Sequence, residues 1–168
     1  VIEENVMKIG VLKLSGKALN DIFLNDEWID AIKNIQAAYG GLVIVHGAGQ
    51  NISEWSAALG LEAKFVNGQR VTTEKIMDVV AAVQSGMLNS KLVSRLLTLG
   101  VDSVGLSGID RGTFIAQNVN IDLGHVGIPV VTGSTDWIIE LLEKKVIPVF
   151  SSVSRSKEGN LMNVNADI

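Results

Sequence analysis

The chain has 168 residues, 47% of them hydrophobic and 19% charged, with a formal net charge of −4 and no cysteine. A chain of this length and composition forms one globular domain that hides roughly 70% of its unfolded surface. The negative charge without any basic cluster argues against a nucleic-acid partner, and the missing cysteines exclude disulfides and thiolate metal sites. The start, Val1-Ile2-Glu3-Glu4-Asn5, is acidic and lacks the apolar core of a secretory leader. No apolar run approaches the ~20 residues of a spanning helix. The expectation is a cytoplasmic protein with no membrane partner.

Along the chain, short β-branched or aliphatic runs at Ile9–Leu14, Leu42–Val45, Ser103–Leu106 and Val146–Phe150 read as strands. Longer stretches with helical spacing lie between them, at Asn25–Tyr39, Ile52–Leu59, Thr73–Leu99 and Thr135–Lys144. This alternation predicts an α/β fold, a three-layer sandwich with a central, mostly parallel sheet and helices on both faces. Gly40, Gly60 and Gly100 each follow a helical stretch, where a left-handed C-terminal cap is wanted. Asn67-Gly68, between Ala63–Val66 and Gln69–Val71, is a strong hairpin signal. A second antiparallel excursion is expected from Phe114 to Val131, and both hairpins are expected to stand off the strand ends as walls or a lid over a pocket. Nothing marks a boundary or repeat, so residues 1–168 read as a single domain. The Asn- and Asp-rich end, Asn163-Val164-Asn165-Ala166-Asp167-Ile168, resembles the entry to a further helix, which suggests a fragment of a longer protein.

Four groups could carry chemistry. Lys13, near the carboxyl end of the first strand, opens into Ser15-Gly16-Lys17. The spacing to Gly10 and the Ala18 after Lys17 rule out a phosphate-binding P-loop, which leaves either a ligand lysine or an edge-strand lysine. In His46-Gly47-Ala48-Gly49-Gln50-Asn51 a glycine turn joins a strand to a helix starting near Asn51 or Ile52. It is either an anion site or a bare tight turn. A dinucleotide fingerprint is weakened by Ile52 at the third glycine position. Arg70, just past the hairpin turn, is either a carboxylate clamp or a solvated arginine. Asn163, Asn165 and Asp167 are either ligands or a turn and cap. His46 and His125 lack a carboxylate partner at metal-binding spacing and read as turn or cleft-wall residues, with no metal site expected. The stripe Ile76, Val79, Val80, Val83, with Met77 beside it, reads as core or interface.

Six stretches, taken together in order, resemble the amino-acid kinase family and, within it, the acetylglutamate kinase branch. They are Lys13-Leu14-Ser15-Gly16, Val43 to Gly49, Val66 to Thr72, Val104 to Gly108, Leu123 to Gly127, and Asn163 to Asp167. The Asn-Gly-x-Arg-Val-Thr and Asn-x-Asn-Ala-Asp segments point to that branch. The resemblance implies ATP-dependent phosphorylation of the γ-carboxylate of N-acetyl-L-glutamate in arginine biosynthesis, with ATP and Mg²⁺ as cofactors and a homodimer as the assembly. It implies that Lys13 neutralises the transferring phosphoryl group, helped by backbone N–H groups around Gly16 and Gly49. Gly47, Ala48, Gly49, Arg70 and Asn163 would hold the acyl amino acid, and Asp167 would orient the lysines around the phosphates. The chain would then be the substrate-binding half, with the nucleotide-binding half outside it. Two alternatives stay open: a kinase of the same family acting on another carboxylate, such as a carrier-linked aminoadipate, and a non-catalytic acyl-amino-acid-binding domain. Family members usually carry glycine at Ser15 and Ala48. Ala48 is expected to cost roughly 1 kcal/mol if its backbone is left-handed, and the Ser15 hydroxyl either crowds the phosphates or donates to them.

Overall fold

The computed structural model describes residues 7–118 and 120–168, so the reading of Val1–Asn5 lies outside it. In chain order the elements are β1 (Ile9–Leu14), α1 (Gly16–Leu24), α2 (Glu27–Ala38), β2 (Gly41–His46), α3 (Gly49–Ala58), β3 (Phe65–Val66), β4 (Gln69–Arg70) and α4 (Glu74–Val80). A π-helical segment, Ala81–Leu88, then runs into α5 (Asn89–Thr98). Next come β5 (Ser103–Ser107), β6 (Phe114–Asn118), β7 (Val126–Val131), α6 (Asp136–Glu143), β8 (Ile147–Ser151), β9 (Val153–Arg155) and β10 (Leu161–Val164).

The central sheet has the order β1-β2-β8-β5, and every pairing in it is parallel. Period-two alternation assigns its faces. Leu14, Leu42, Ile44, Ile147 and Val149 enter the main core beneath α1, α2, α3, α4 and α5. Val43, Val45, Leu106 and Phe150 point the other way, against Ile138 and Leu142 of α6. Helices thus lie on both faces, as expected, but the second face has a thin cover.

A second sheet, β6-β7-β10-β9, stands beyond the carboxyl edge. Its β6–β7 pair is the expected antiparallel excursion, and β10 adds to β7 in parallel. Ser152 alone separates β8 from β9, so one extended stretch passes from the first sheet into the second. Asn67 and Gly68, with φ of 50° and 78°, make the two-residue turn of the β3–β4 hairpin.

The sequence expectations fail at four places. Helix α1 has no counterpart among them, and α3 begins at Gly49, earlier than Asn51. Gly60 and Gly100 have φ of 71° and 77°, as left-handed caps require, but Gly40 is not left-handed. Gly40 is needed for space instead, because a Cβ there would lie 2.5 Å from Met7 Cγ. His46 is no cleft-wall residue; it is completely buried on the covered face.

The helix from Glu74 to Thr98 carries its own geometric signal. The residues Ile76, Met77, Val79, Val80 and Val83 are core, as are Leu88, Leu92 and Leu96. The step of five from Val83 to Leu88 misfits a 3.6-residue turn and fits the wider π turn. That stripe is consumed by the fold; the large apolar side chain left exposed on this helix is Leu97. Among the described residues no helix is long and apolar enough to cross a membrane.

Candidate anion-binding cleft

A cavity of about 420 Å³ opens between the carboxyl edge of the central sheet, the β3–β4 hairpin and the second sheet. Lys13, Gly16, Gly47, Ala48, Gly49, Arg70, Asn163 and Asp167 all line it, so the fold gathers every site residue singled out in the sequence.

Parallel strands place their following turns at one edge, so the N-termini of α1 and α3 both open on this cavity. Neither helix has an acidic residue in its first turn. Three helices that start elsewhere do: Glu27 and Asp30 in α2, Glu74 in α4, and Asp136 in α6. The acids neutralise the partial positive charge of those N-termini, whereas the two at the cleft keep theirs. Ser15 caps α1 by accepting from Ala18 N at 3.2 Å. Its hydroxyl oxygen is thereby committed to the helix. Ala48 has φ −152° and ψ 24°, so the expected left-handed strain is absent. With 2% exposure it packs with Ile52 in the core.

Lys13 Nζ forms a 2.5 Å ion pair with Asp167 Oδ1 across the cavity rim. Both side chains are too exposed for the pair to contribute much stability. What the pair does is hold an ammonium group at the edge of the cleft. Asp167 itself sits in a turn, its N–H donating to Asn165 Oδ1 at 3.1 Å.

Arg70 is 8% exposed. Its Nη2 donates to Gly49 O at 2.8 Å and to Ser53 Oγ at 2.7 Å, and its guanidinium lies 4.7 Å from the Phe65 ring centroid. Nη1 is buried without a partner among the described residues. Burial pushes the guanidinium below its ordinary pKa, yet arginine stays charged. A buried cation with an unused amino group in a cleft is complementary to a carboxylate. Thr72 Oγ1 donates to Arg70 O at 3.0 Å and accepts from Asn163 Nδ2 at 3.2 Å. Gly124 allows this packing: its φ is 69°, and a Cβ there would meet Thr72 O at 2.5 Å.

Several contributors escaped the sequence reading. Buried Gln84, in the π segment, lines the cleft and donates to Ser152 Oγ at 2.6 Å. Ser152 in turn donates to His46 O at 3.1 Å, fixing the carbonyl that precedes the glycine turn. Asn89 donates to Val149 O at 2.9 Å and to His46 Nε2 at 3.0 Å. That leaves the His46 proton on Nδ1, which faces Gly47 O at 3.3 Å. Desolvation lowers the His46 pKa, and the neutral ring supports the turn from below. Phe65 and Ser53 complete the set. None of these had a local signal beyond Gln84, a polar residue in an apolar run.

Lys13, Arg70 and two helix N-termini at the carboxyl edge of an open α/β sheet make a cleft complementary to carboxylate or phosphate groups. The Amino acid kinase family profile matches residues 8–168, and the chain belongs to that family. It is 40% identical to an acetylglutamate kinase of Dehalococcoides mccartyi, covering 95% of this chain and 59% of that protein. It is 36% identical to one from Clostridium acetobutylicum, covering 95% and 56%. A crystal structure of a Streptococcus mutans protein superposes with a TM-score of 0.81 at 32% identity, over 95% of this chain and 64% of that one. The chain therefore spans somewhat over half the length of these curated relatives.

Proposed function

We propose that the chain is the acyl-amino-acid-binding part of an acetylglutamate kinase, which phosphorylates the γ-carboxylate of N-acetyl-L-glutamate at the expense of ATP. One observation carries this reading: buried Arg70, its Nη1 unpartnered among the described residues, shares a cleft with Lys13 and two helix N-termini free of acidic side chains. That arrangement suits a ligand with a carboxylate at each end, one of which accepts a phosphoryl group.

The chemistry matches these residue types. A γ-carboxylate is ionised near neutral pH, so its oxygen can attack phosphorus without a general base, and no proton moves. Arg70 and Asn163 hold the α-carboxylate end, while Gly47, Ala48 and Gly49 border the rest of the ligand. Lys13, oriented by Asp167, and the amides around Gly16 and Gly49 compensate the charge on the transferring group. The amides and lysine fit the phosphoryl end of a nucleotide. MgATP, when bound, supplies the phosphoryl group and part of the charge neutralisation. Homodimerisation and a cytoplasmic, arginine-biosynthetic setting belong to the same reading.

Calorimetric titration of the chain with N-acetyl-L-glutamate tests it. Saturable binding is expected, weakened at least about a hundredfold in Arg70→Ala, where a charge-assisted clamp is lost. A folded chain that binds a different acyl carboxylate instead would move the substrate within the family.

A further inference from the structure

Arg70 has two terminal nitrogens, and the structure uses them unequally. Nη2 has both hydrogens committed, one to Gly49 O at 2.8 Å and one to Ser53 Oγ at 2.7 Å. Ser53 Oγ closes the triangle by donating to Gly49 O at 3.1 Å, a bond from the serine back to the residue one helical turn earlier. The hydroxyl therefore has its proton fixed on Gly49 and its lone pair aimed at Arg70. Phe65 covers the guanidinium plane from the hairpin side. Nη1 is left buried and without a partner among the described residues.

We propose that Ser53 is a positioning residue: by holding Nη2, it fixes the rotation of the Arg70 guanidinium and reserves Nη1 for the ligand carboxylate. The functional half of this inference rests on the acyl-amino-acid reading above; the geometric half does not. Without the hydroxyl, Nη2 keeps only Gly49 O. The guanidinium then gains freedom about its last torsions, and ligand binding must restore the order. Threonine keeps the oxygen and accepts in the same place, so Ser53→Thr should behave as the parent. Alanine should not.

Two measurements on the 168-residue chain decide the matter, with circular dichroism confirming that each variant folds. The first, needing no ligand, is the set of guanidinium ¹H–¹⁵N resonances of Arg70, identified by their loss in Arg70→Ala. Resolved, slowly exchanging Nη signals are expected in the parent and in Ser53→Thr, and merged, broadened ones in Ser53→Ala. The second is the Kd for N-acetyl-L-glutamate, expected to rise about tenfold in Ser53→Ala, equivalent to about 1.4 kcal/mol, and less than about twofold in Ser53→Thr. Ser53→Ala with parental Nη signals overturns the proposal, as does averaged Nη signals with a parental Kd. If the parent fails to bind N-acetyl-L-glutamate, the functional reading and the ligand half of this proposal fall together. The Nη signals still decide the geometric half.

Discussion

The two faces of the central sheet differ in how they are covered. Beneath α1 to α5, Ile44, Leu42, Ile147 and Val149 are at most 1% exposed, and the face carries His46, Asn89 and the floor of the cleft. On the other face α6 covers β2 and β8, but the edge strand β1 is bare: Val11 is 69% exposed. Lining an apolar hollow of about 530 Å³ are Val11, Val43, Val45, Phe114 and Phe150. Parallel sheets are normally covered on both faces. The contrast shows that most of the site is built from the covered face. The glycine turn, the π segment and the buried polar bonds all belong to the covered side, and Lys13 is the site residue that β1 projects from the other.

Paired truncations break this comparison most directly. Ile44→Ala leaves a cavity in a close-packed layer and should cost about 3 kcal/mol in urea unfolding. Val11→Ala should cost under about 0.5 kcal/mol, because its methyl groups already meet water. Equal losses at the two positions would mean that Val11 is covered in solution.

Glycine substitutions sharpen the comparison at smaller magnitude. A Cβ at Gly105 would lie 2.1 Å from Asn89 Oδ1, on the covered face. Asn89 cannot retreat without dropping Val149 O and His46, so Gly105→Ala should cost about 2 to 3 kcal/mol. A Cβ at Gly41 would meet Leu142 of α6 at 2.9 Å, on the thin face. There one short helix can shift outward, and about 1 kcal/mol is expected. Thermal unfolding of the two variants ranks the compliance of the two faces.

Much of this arrangement was readable in advance because it rests on local rules. Alternation of apolar runs gave the four parallel strands, and Asn67-Gly68 gave its hairpin. The motif stretches named every lining residue that the resemblance implies. What escaped has physical causes. Gly40 was misread because glycine serves space as well as left-handed φ, and a sequence does not say which. The five-residue step from Val83 to Leu88 was present in the stripe but fits no common period. It matters because the π turn brings Gln84, Ser85 and Asn89 toward the end of β8 and its junction with β9. Ser53 carries no signal at all: a serine on a helix becomes a positioning group only when a distant hairpin sets Arg70 beside it.

The smallest effect concerns the covered face and proton uptake. Desolvation by burial favours the neutral His46 ring in the folded chain and outweighs the Gly47 carbonyl, which favours the charged form; Asn89, donating to Nε2, suits the neutral ring as well. The folded pKa therefore lies below the ordinary value of 6.5 that the unfolded chain keeps. Above pH 6.5 neither state binds the proton and stability is full. As pH falls below 6.5 the unfolded state takes up a proton that the folded state refuses, and stability declines by up to about 1.4 kcal/mol per pH unit. The decline is expected to begin between pH 6.5 and about 5.5, before the carboxylates titrate, and its size is set by how far the folded pKa lies below 6.5. Urea midpoints across that window should slope in the parent. In His46→Asn the slope should vanish, whatever the variant loses in absolute stability. A slope that survives in His46→Asn would assign the proton uptake elsewhere and leave the imidazole a packing element that acts without regard to its charge.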